Sequence, residues 1–328
     1  MNTFFDTLTN IVQGSVLENE PMAKHTNFRI GGPARYFVEV KTIEELQKTI
    51  DLAKEHAIPW VVLGGGSNIL VADEGYRGLV VKIGFRQLDI LTDQGGSPTG
   101  AVVADAGVLS VMMARKTAMA GLKGFGWAIG LPGTIGGAVR GNAGCFGGET
   151  RDYLTKVEVF RDGDVIELSN EECTFAYRES VFKHNQDIVL RAHFELETGD
   201  ATELTKELDD FLSKRKSTQP LYAGSAGCLF KNTDVNEPIM ESLGQMFQIP
   251  DPMRTRYRIG SGWLIDQLGL KGVQEGRAQI SPEHANFVVN LGDATAHDIA
   301  SLITRIKKDV LEKTGIHLEE EVQLVGFE

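Results

Sequence analysis

The chain has 328 residues, of which 42% are hydrophobic, and its formal net charge at pH 7 is −12. This length and apolar content are sufficient to bury one large core or several smaller ones. The negative charge argues against nucleic acid or an anionic membrane surface as a partner. No basic apolar leader and no apolar run of about 18 residues occurs, so the sequence predicts a soluble, cytoplasmic protein.

The cysteines and histidines indicate neither a disulfide framework nor a metal site. The three cysteines, Cys145, Cys173 and Cys228, have no CxxC or His/Cys metal spacing, and an odd, sparse set is typical of reduced thiols. The histidines share no spacing that would bring ligands together. We therefore predict no metal.

Helical and strand-like patterns alternate along the chain and predict an α+β fold. A weakly signalled helix in residues 1–14 precedes a β-α-β unit, in which the helix starts at the capping-box segment 42–45. The second strand of that unit, 59–63, leads directly into the glycine segment 64–66. The other predicted elements, in chain order, are strands at 79–83 and 88–91, a hairpin turn at 94–100, a strand at 101–106, a helix at 110–120, a hairpin over 156–168, a strand at 188–196, a helix at 200–216, a strand at 287–290, a helix at 295–314 and a strand at 322–326.

Glycine is concentrated between Gly121 and Gly148, where eleven of 28 residues are glycine although the whole chain has only 37 in 328. Such density requires tight turns or close approach of the backbone to a bulky group. The stretch also contains apolar residues such as Trp127 and Ile129, which a flexible linker would lack. We predict a packed, ordered loop system that lies against a large flat ligand.

A second glycine segment, Gly64-Gly65-Gly66-Ser67-Asn68, follows a predicted buried strand. Consecutive N–H groups at a strand end can form an anion-binding concavity, which would hold a pyrophosphate without a positive surface. The alternative is an ordinary tight turn between two elements. The spacing does not match GxGxxG, so the sequence does not predict a Rossmann NAD domain.

Two further residues have both a functional and a structural interpretation. Arg178, between Tyr177 and Glu179, is either a surface arginine paired with a carboxylate or a ligand-binding cation. Cys228 follows the small residues 225–227, which would let a substrate approach closely, but a lone cysteine of this kind is more often a buried packing residue. Neither residue decides the function by itself.

Taken together and in order, these motifs resemble those of the UDP-N-acetylenolpyruvoylglucosamine reductases, the MurB family. The similarity extends from residue 25 to residue 326, and the short path from Arg178 to Ile188 is similar to the family's second type. The motifs that carry it are Gly64-Gly-Gly-Ser-Asn68, Gly130-Leu-Pro-Gly-Thr-Ile-Gly-Gly137, Asn142-Ala-Gly144, Tyr177-Arg-Glu-Ser180, Ser225-Ala-Gly-Cys-Leu-Phe-Lys-Asn232, Leu264-Ile-Asp266, Leu270-Lys-Gly272 and Glu321-Val-Gln-Leu-Val-Gly326.

The resemblance implies a vanillyl-alcohol-oxidase/p-cresol-methylhydroxylase-like FAD-binding fold with a C-terminal α+β substrate domain. Residues 1–83 and 84–200 would form two FAD-binding subdomains, and residues 201–328 the substrate-binding domain. NADPH would reduce the bound FAD, which would then reduce UDP-N-acetylglucosamine enolpyruvate to UDP-N-acetylmuramate, a peptidoglycan precursor. We expect a monomer or a weak dimer.

The resemblance also assigns site residues. Arg178 would stabilise an enolate, Cys228 would donate the final proton, and Glu321 would assist. Cys228 stands where the family more often has serine, and a thiol with an ordinary pKa of about 8.5 is the easier acid. The predicted cofactor-binding residues are Gly64, Gly65, Gly66, Ser67, Asn68, Leu131, Pro132, Gly133, Gly136, Gly137, Ala138 and Asn142. The predicted substrate-binding residues are Tyr177, Gln219, Lys231 and Asn232.

Two alternatives remain at this point. An FAD-dependent oxidase of the same fold would act on an alcohol or sugar, but it needs a base, whereas Arg178, Cys228 and Glu321 together favour a reductase. A non-catalytic flavin- or nucleotide-binding module would be expected only without these residues. Residues 233–260 are longer than the resemblance predicts, and their role stays open.

Overall fold

The computed structural model describes residues 3–92 and 99–327, so the predicted hairpin turn at 94–100 lies largely outside the described residues. These residues pack into two compact units. Unit 1 comprises the chain up to Glu20, Ala34–Gly66 and Arg77–Ser217. Unit 2 comprises Pro21–Pro33, Ser67–Tyr76 and the chain from Thr218 onward. The functional division at 83/84 and 200/201 remains a prediction.

Helices and strands alternate as the periodicity predicts. The α-helices are α1 (Phe4–Ile11), α2 (Ile43–Glu55), α3 (Ser110–Met119), α4 (Ile135–Arg140), α5 (Ala201–Thr218), α6 (Glu237–Met246), α7 (Asp251–Arg256), α8 (Ser261–Gln267) and α9 (Ala296–Thr314). The strands are β1 (Val16–Pro21), β2 (Pro33–Val40), β3 (Trp60–Leu63), β4 (Ile69–Val71), β5 (Tyr76–Ile83), β6 (Leu88–Thr92), β7 (Thr99–Asp105), β8 (Leu122–Lys123), β9 (Gly144–Cys145), β10 (Gly148–Glu149), β11 (Leu154–Arg161), β12 (Asp164–Ser169), β13 (Ile188–Thr198), β14 (Thr233–Asp234), β15 (Arg258–Ile259), β16 (Gln274–Glu275), β17 (Ala278–Ile280), β18 (Val288–Asn290) and β19 (Gln323–Val325). Short 3-10 turns lie at Met22–His25, Gly126–Gly130, Thr150–Asp152 and Val181–Lys183.

Unit 1 is built on two sheets. The first has the order β1-β2-β5-β3, with β3 parallel to β5. The second has the order β12-β11-β13-β7-β6, with β8 pairing β13 near its end. The predicted β-α-β unit therefore exists, but β5 lies between its two strands. One apolar core, which includes Val38, Leu79, Val102 and Phe194, packs the sheets together with α2, α3 and α4.

Local signals explain where the elements of unit 1 begin and turn. Thr42 caps α2 by accepting the N–H of Glu45 at 3.1 Å. A capping box also requires the Glu45 side chain to accept the N–H of Thr42, and this part of the prediction is wrong. Glu45 Oε2 accepts the N–H of Lys41 instead, at 2.7 Å. Asp162 and Gly163, with φ of 50° and 102°, form the two-residue turn predicted between β11 and β12.

Unit 2 has its own core, in which α9 packs against α8 and against the sheet β16-β17-β18. Thr295 and Asp298 form a capping box at the start of α9, and Gly315, with φ of 70°, ends it in the left-handed conformation. Phe28 and Leu70 are completely buried in this core, which explains why two early segments belong to a mainly C-terminal unit. Among the described helices, none combines the length and apolarity required to cross a membrane.

Candidate active site

The two glycine segments contact each other within unit 1. A Cβ placed on Gly65 would lie 2.8 Å from Gly133 Cα, and one on Gly64 would lie 2.5 Å from Thr134 Oγ1. Both distances are below any normal carbon contact, so the two loops can approach this closely only without side chains at these positions. The segment after β3 and the start of α4 therefore form one continuous backbone surface.

Thr134 leaves an unsatisfied polar atom on this surface. The residue is 4% exposed, and among the described residues its Oγ1 has no hydrogen-bond partner. It precedes α4 but does not cap it, since no N–H of that helix donates to its side chain. A buried hydroxyl that bonds no protein atom can bond to a ligand or to water. Sequence reasoning did not single out Thr134, although a hydroxyl among glycines was the available signal.

The predicted cofactor residues fall into both units. Gly64, Gly65, Gly66 and the segment 131–138 lie in unit 1, whereas Ser67 and Asn68 lie in unit 2. Leu131 is half-buried, Pro132 and Gly137 are exposed, and Ala138 is buried. The closely apposed glycine backbones and the partnerless Thr134 hydroxyl fit a cofactor held mainly by backbone groups. These residues of unit 1 are compatible with FAD, and their individual contacts with it stay a prediction.

Asn68 has a defined structural partner within unit 2. Its Nδ2 donates to the carbonyl oxygen of Glu321 at 3.0 Å, and its own carbonyl accepts the N–H of Gln323 at 3.1 Å. These bonds continue the parallel pairing of β4 with β19. The predicted glycine segment therefore ends in a residue that fixes the backbone of the predicted catalytic glutamate.

Cys228 and Glu321 are brought together within unit 2. The Glu321 N–H donates to the carbonyl of Leu229 at 2.7 Å, and Phe230 pairs with Glu320. Cys228 itself pairs with Phe287, and both Cys228 and Glu321 are half-buried. Residues separated by more than ninety positions thus lie on adjacent backbone segments.

Asn286 holds the segment that carries Cys228. Its side chain makes two bonds with Phe230, accepting the N–H at 3.0 Å and donating to the carbonyl at 2.8 Å. Its carbonyl accepts the N–H of Leu229 at 2.8 Å, and only 3% of the residue is exposed. No local sequence pattern marks Asn286, because its partners are remote in the chain.

Arg178 lies in a tight turn of unit 1. Ala176 and Glu179 exchange both N–H···O bonds at 3.1 Å, and Arg178 has φ of 55°. Arg178 Nη2 donates to the carbonyl of Gly144 at 2.7 Å, and its guanidinium lies 5.3 Å from the centre of the Tyr177 ring. The arginine is therefore anchored to the glycine-rich stretch.

The predicted substrate residues of unit 2 differ in how their polar atoms are used. Gln219 Oε1 is buried and has no hydrogen-bond partner in the described part of the chain, so it is able to accept a hydrogen bond from a ligand. Lys231 is 8% exposed, and its ammonium pairs with Glu319 Oε1 at 2.5 Å. Asn232 is exposed, and its Oδ1 accepts the N–H of Ser261 at 3.2 Å. Within the described residues, no group of three or more His, Cys, Asp or Glu side chains could hold a metal ion.

Comparisons with known proteins give the class first. The model of an FAD-binding domain matches residues 34–169, which contain both glycine segments. The chain is therefore an FAD-binding protein, and the predicted α+β fold with an FAD-binding region is confirmed. The model of the UDP-N-acetylenolpyruvoylglucosamine reductase C-terminal domain matches residues 219–325.

Full-length relatives then give the family. The chain is 39% identical to the UDP-N-acetylenolpyruvoylglucosamine reductase of Synechococcus sp. (strain WH7803), covering 100% of this chain and 99% of the relative. It is 37% identical to that of Clostridioides difficile (strain 630), covering 98% and 97%. The crystal structure of the Thermus caldophilus reductase (MurB) is 35% identical, with a TM-score of 0.73 over 95% of this chain and 99% of that one. The chain belongs to the UDP-N-acetylenolpyruvoylglucosamine reductase family.

Proposed function

We propose that this protein catalyses the NADPH-dependent, FAD-mediated reduction of UDP-N-acetylglucosamine enolpyruvate to UDP-N-acetylmuramate. Family membership over the full chain supports the substrate. The observation that carries the chemistry is the adjacency of Cys228 and Glu321, whose backbones are joined through Leu229 at 2.7 Å. Bound FAD would supply the redox chemistry, accepting hydride from NADPH and delivering it from N5 to the enolpyruvyl double bond.

Arg178 would stabilise the charge that develops on the substrate. Hydride addition at one carbon of the double bond leaves an electron pair on the neighbouring carbon and on its carboxylate. A guanidinium binds a carboxylate through two parallel N–H···O bonds, and it stays charged throughout. The guanidinium is held in place, since Arg178 Nη2 also donates to the carbonyl of Gly144.

Cys228 would complete the reduction by donating the thiol proton to that carbon, and the thiolate would then recover a proton from solvent. A thiol is a much stronger acid than the serine hydroxyl common at this position in the family. Glu321 would assist through a hydrogen bond from its side chain. Its backbone is held in place, because its N–H donates to the carbonyl of Leu229 and its carbonyl accepts from Asn68 Nδ2. Tyr177, Gln219, Lys231 and Asn232 would contact the substrate, with the unpartnered Gln219 Oε1 as the best-supported of the four.

The decisive experiment separates the two half-reactions. The FAD-loaded protein is reduced anaerobically with NADPH and then mixed with UDP-N-acetylglucosamine enolpyruvate or with oxygen, and flavin absorbance is followed. We expect rapid reoxidation by the enolpyruvate and slow reoxidation by oxygen. The reverse order would favour the oxidase alternative. NADH in place of NADPH tests the donor preference.

Cysteine variants test the proton donor. Cys228→Ala should leave flavin reduction by NADPH unchanged and slow only reoxidation by the enolpyruvate, whereas Cys228→Ser should retain substantial activity. Cys145→Ala is the matched control, because that thiol donates to the carbonyl of Trp127 at 3.0 Å in unit 1. Equal slowing of both half-reactions in Cys228→Ala would contradict the assignment.

Sedimentation of the purified protein tests the predicted monomer or weak dimer.

A further inference from the structure

The turn that carries Arg178 needs support from outside itself. Arg178 has φ of 55°, a backbone conformation that side chains other than Gly, Asn and Asp disfavour. The two bonds between Ala176 and Glu179 close the turn, but they do not fix where it lies. Such a conformation persists when surrounding groups hold it in place.

Asn142 supplies one of these supports from a completely buried side chain. Its Nδ2 donates to the carbonyl of Ala176 at 2.9 Å and to Glu149 Oε2 at 3.1 Å. Its Oδ1 accepts the N–H of Arg151 at 3.1 Å. Both N–H donors of the amide are thus committed to protein atoms, one of them to the first residue of the Arg178 turn.

Two other bonds join the same segments. Arg178 Nη2 donates to the carbonyl of Gly144, two residues after Asn142, at 2.7 Å. Ser180 Oγ donates to the carbonyl of Arg140, two residues before Asn142, at 2.6 Å. The glycine-rich segment 140–144 therefore binds the turn before, at and after Arg178, with Asn142 at its centre.

We propose that Asn142 is a positioning residue for Arg178. Its buried amide holds the Ala176 carbonyl and thereby sets the position from which the guanidinium reaches the substrate carboxylate. The proposal rests on the proposed role of Arg178 in stabilising the enolate. It assigns the Asn142 side chain to the substrate half-reaction, whereas sequence reasoning placed this residue among the cofactor contacts.

Asn142→Gly removes the amide and leaves a residue that tolerates the local φ of 39°. Each FAD-loaded variant is reduced with dithionite and mixed with UDP-N-acetylglucosamine enolpyruvate, so this measurement does not depend on NADPH. We expect reoxidation to slow by about 10- to 100-fold, the scale of a 1 Å misplacement of a catalytic group. Flavin reduction by NADPH and the dissociation constant for FAD should stay within about twofold of wild type.

Asn142→Asp is the second variant. It keeps the size and the acceptor for Arg151, loses the donors to Ala176 and Glu149, and places a second carboxyl group beside Glu149, so its folding is checked before its kinetics are measured. It should show the same selective loss. Asn170→Ala is the matched control, since Asn170 Nδ2 also donates to two backbone carbonyls, those of Arg151 and Leu154, at 2.8 and 2.6 Å. Both half-reactions should stay near the wild-type rate in that variant.

A double-mutant cycle decides whether Asn142 acts through Arg178. Arg178→Ala should slow substrate reduction, and adding Asn142→Gly to it should then change that rate little. If Arg178→Ala leaves the rate unchanged, the proposed function of Arg178 fails. Two outcomes would overturn only the positioning role of Asn142 when Arg178→Ala is slow. Either Asn142→Gly alone matches the wild-type rate, or Asn142→Gly slows the Arg178→Ala enzyme by the same factor as it slows the wild-type enzyme. Weakened FAD binding with equal loss in both half-reactions would assign Asn142 to the cofactor instead.

Discussion

The contact between the two glycine segments predicts that Gly65 cannot be enlarged. In Gly65→Ala, the new Cβ would lie 2.8 Å from Gly133 Cα, and the neighbouring Gly133 C and N atoms would lie at 3.3 and 3.5 Å. Carbon atoms in contact are ordinarily about 3.5–4.0 Å apart, so the loops would have to separate by roughly 1 Å. All three obstructing atoms belong to the backbone and cannot rotate away.

Forced separation of this kind costs about 1–3 kcal/mol in packed regions. We therefore expect the free energy of unfolding of FAD-free Gly65→Ala, measured in urea, to fall by that amount. FAD affinity, measured by quenching of flavin fluorescence, should fall as well, because the loops that fit the cofactor no longer meet. Bound FAD absorbance after gel filtration gives an independent check.

Gly137→Ala is the matched control in the same pair of segments. A Cβ there would have Thr134 Oγ1 as its nearest neighbour at 3.8 Å, an ordinary contact, and Gly137 is helical and exposed. Its FAD-free form should be unchanged or more stable by about 0.4–1 kcal/mol. Wild-type stability of Gly65→Ala, or an equal loss in Gly137→Ala, would refute the steric argument. A loss of FAD affinity alone in Gly137→Ala would support its predicted contact with the cofactor.

Three further predictions concern buried groups. Burial lowers the pKa of His284, whose Nδ1 accepts the N–H of Asn286 at 3.3 Å. The unfolded chain then binds that proton more readily, so the free energy of unfolding should fall as pH drops below about 6.5, and His284→Gln should flatten this fall in urea titrations at several pH values. Asn286→Ala leaves the N–H and carbonyl of Phe230 without their partners. We expect the free energy of unfolding in urea to fall by about 2–4 kcal/mol. A fall below about 0.5 kcal/mol would contradict the role of Asn286 in holding the segment that carries Cys228. Burial raises the pKa of Cys173 to about 12, so this thiol should react with a disulfide reagent at neutral pH only after unfolding, as mass spectrometry of labelled peptides would show.

Much of the fold could be predicted from local patterns. The apolar periodicity of α9, the threonine that caps it and the glycine that ends it are all contained in residues 295–315. The Asp162-Gly163 turn and its flanking strands are equally local. The glycine density of the stretch 121–148 predicted tight turns or close approach of the backbone to a bulky group. Gly121, Gly124, Gly133 and Gly147 have positive φ, and Gly133 lies against the backbone of Gly65.

The sequence alone also determined the candidate site residues, because glycine density, strand ends and the order of the motifs are properties of neighbours in the chain. Only the tertiary structure decided how those residues are held. Asn68 bonds to Glu321 across 253 positions, and Asn142 bonds to Ala176 across 34. An asparagine carries no local signal for its partner, since its amide bonds any backbone carbonyl that packing brings within reach. The first bond lies in the unit whose core packs around Phe28 and Leu70, and the second lies in the other unit, which has its own core, so no pattern of adjacent residues records either distance.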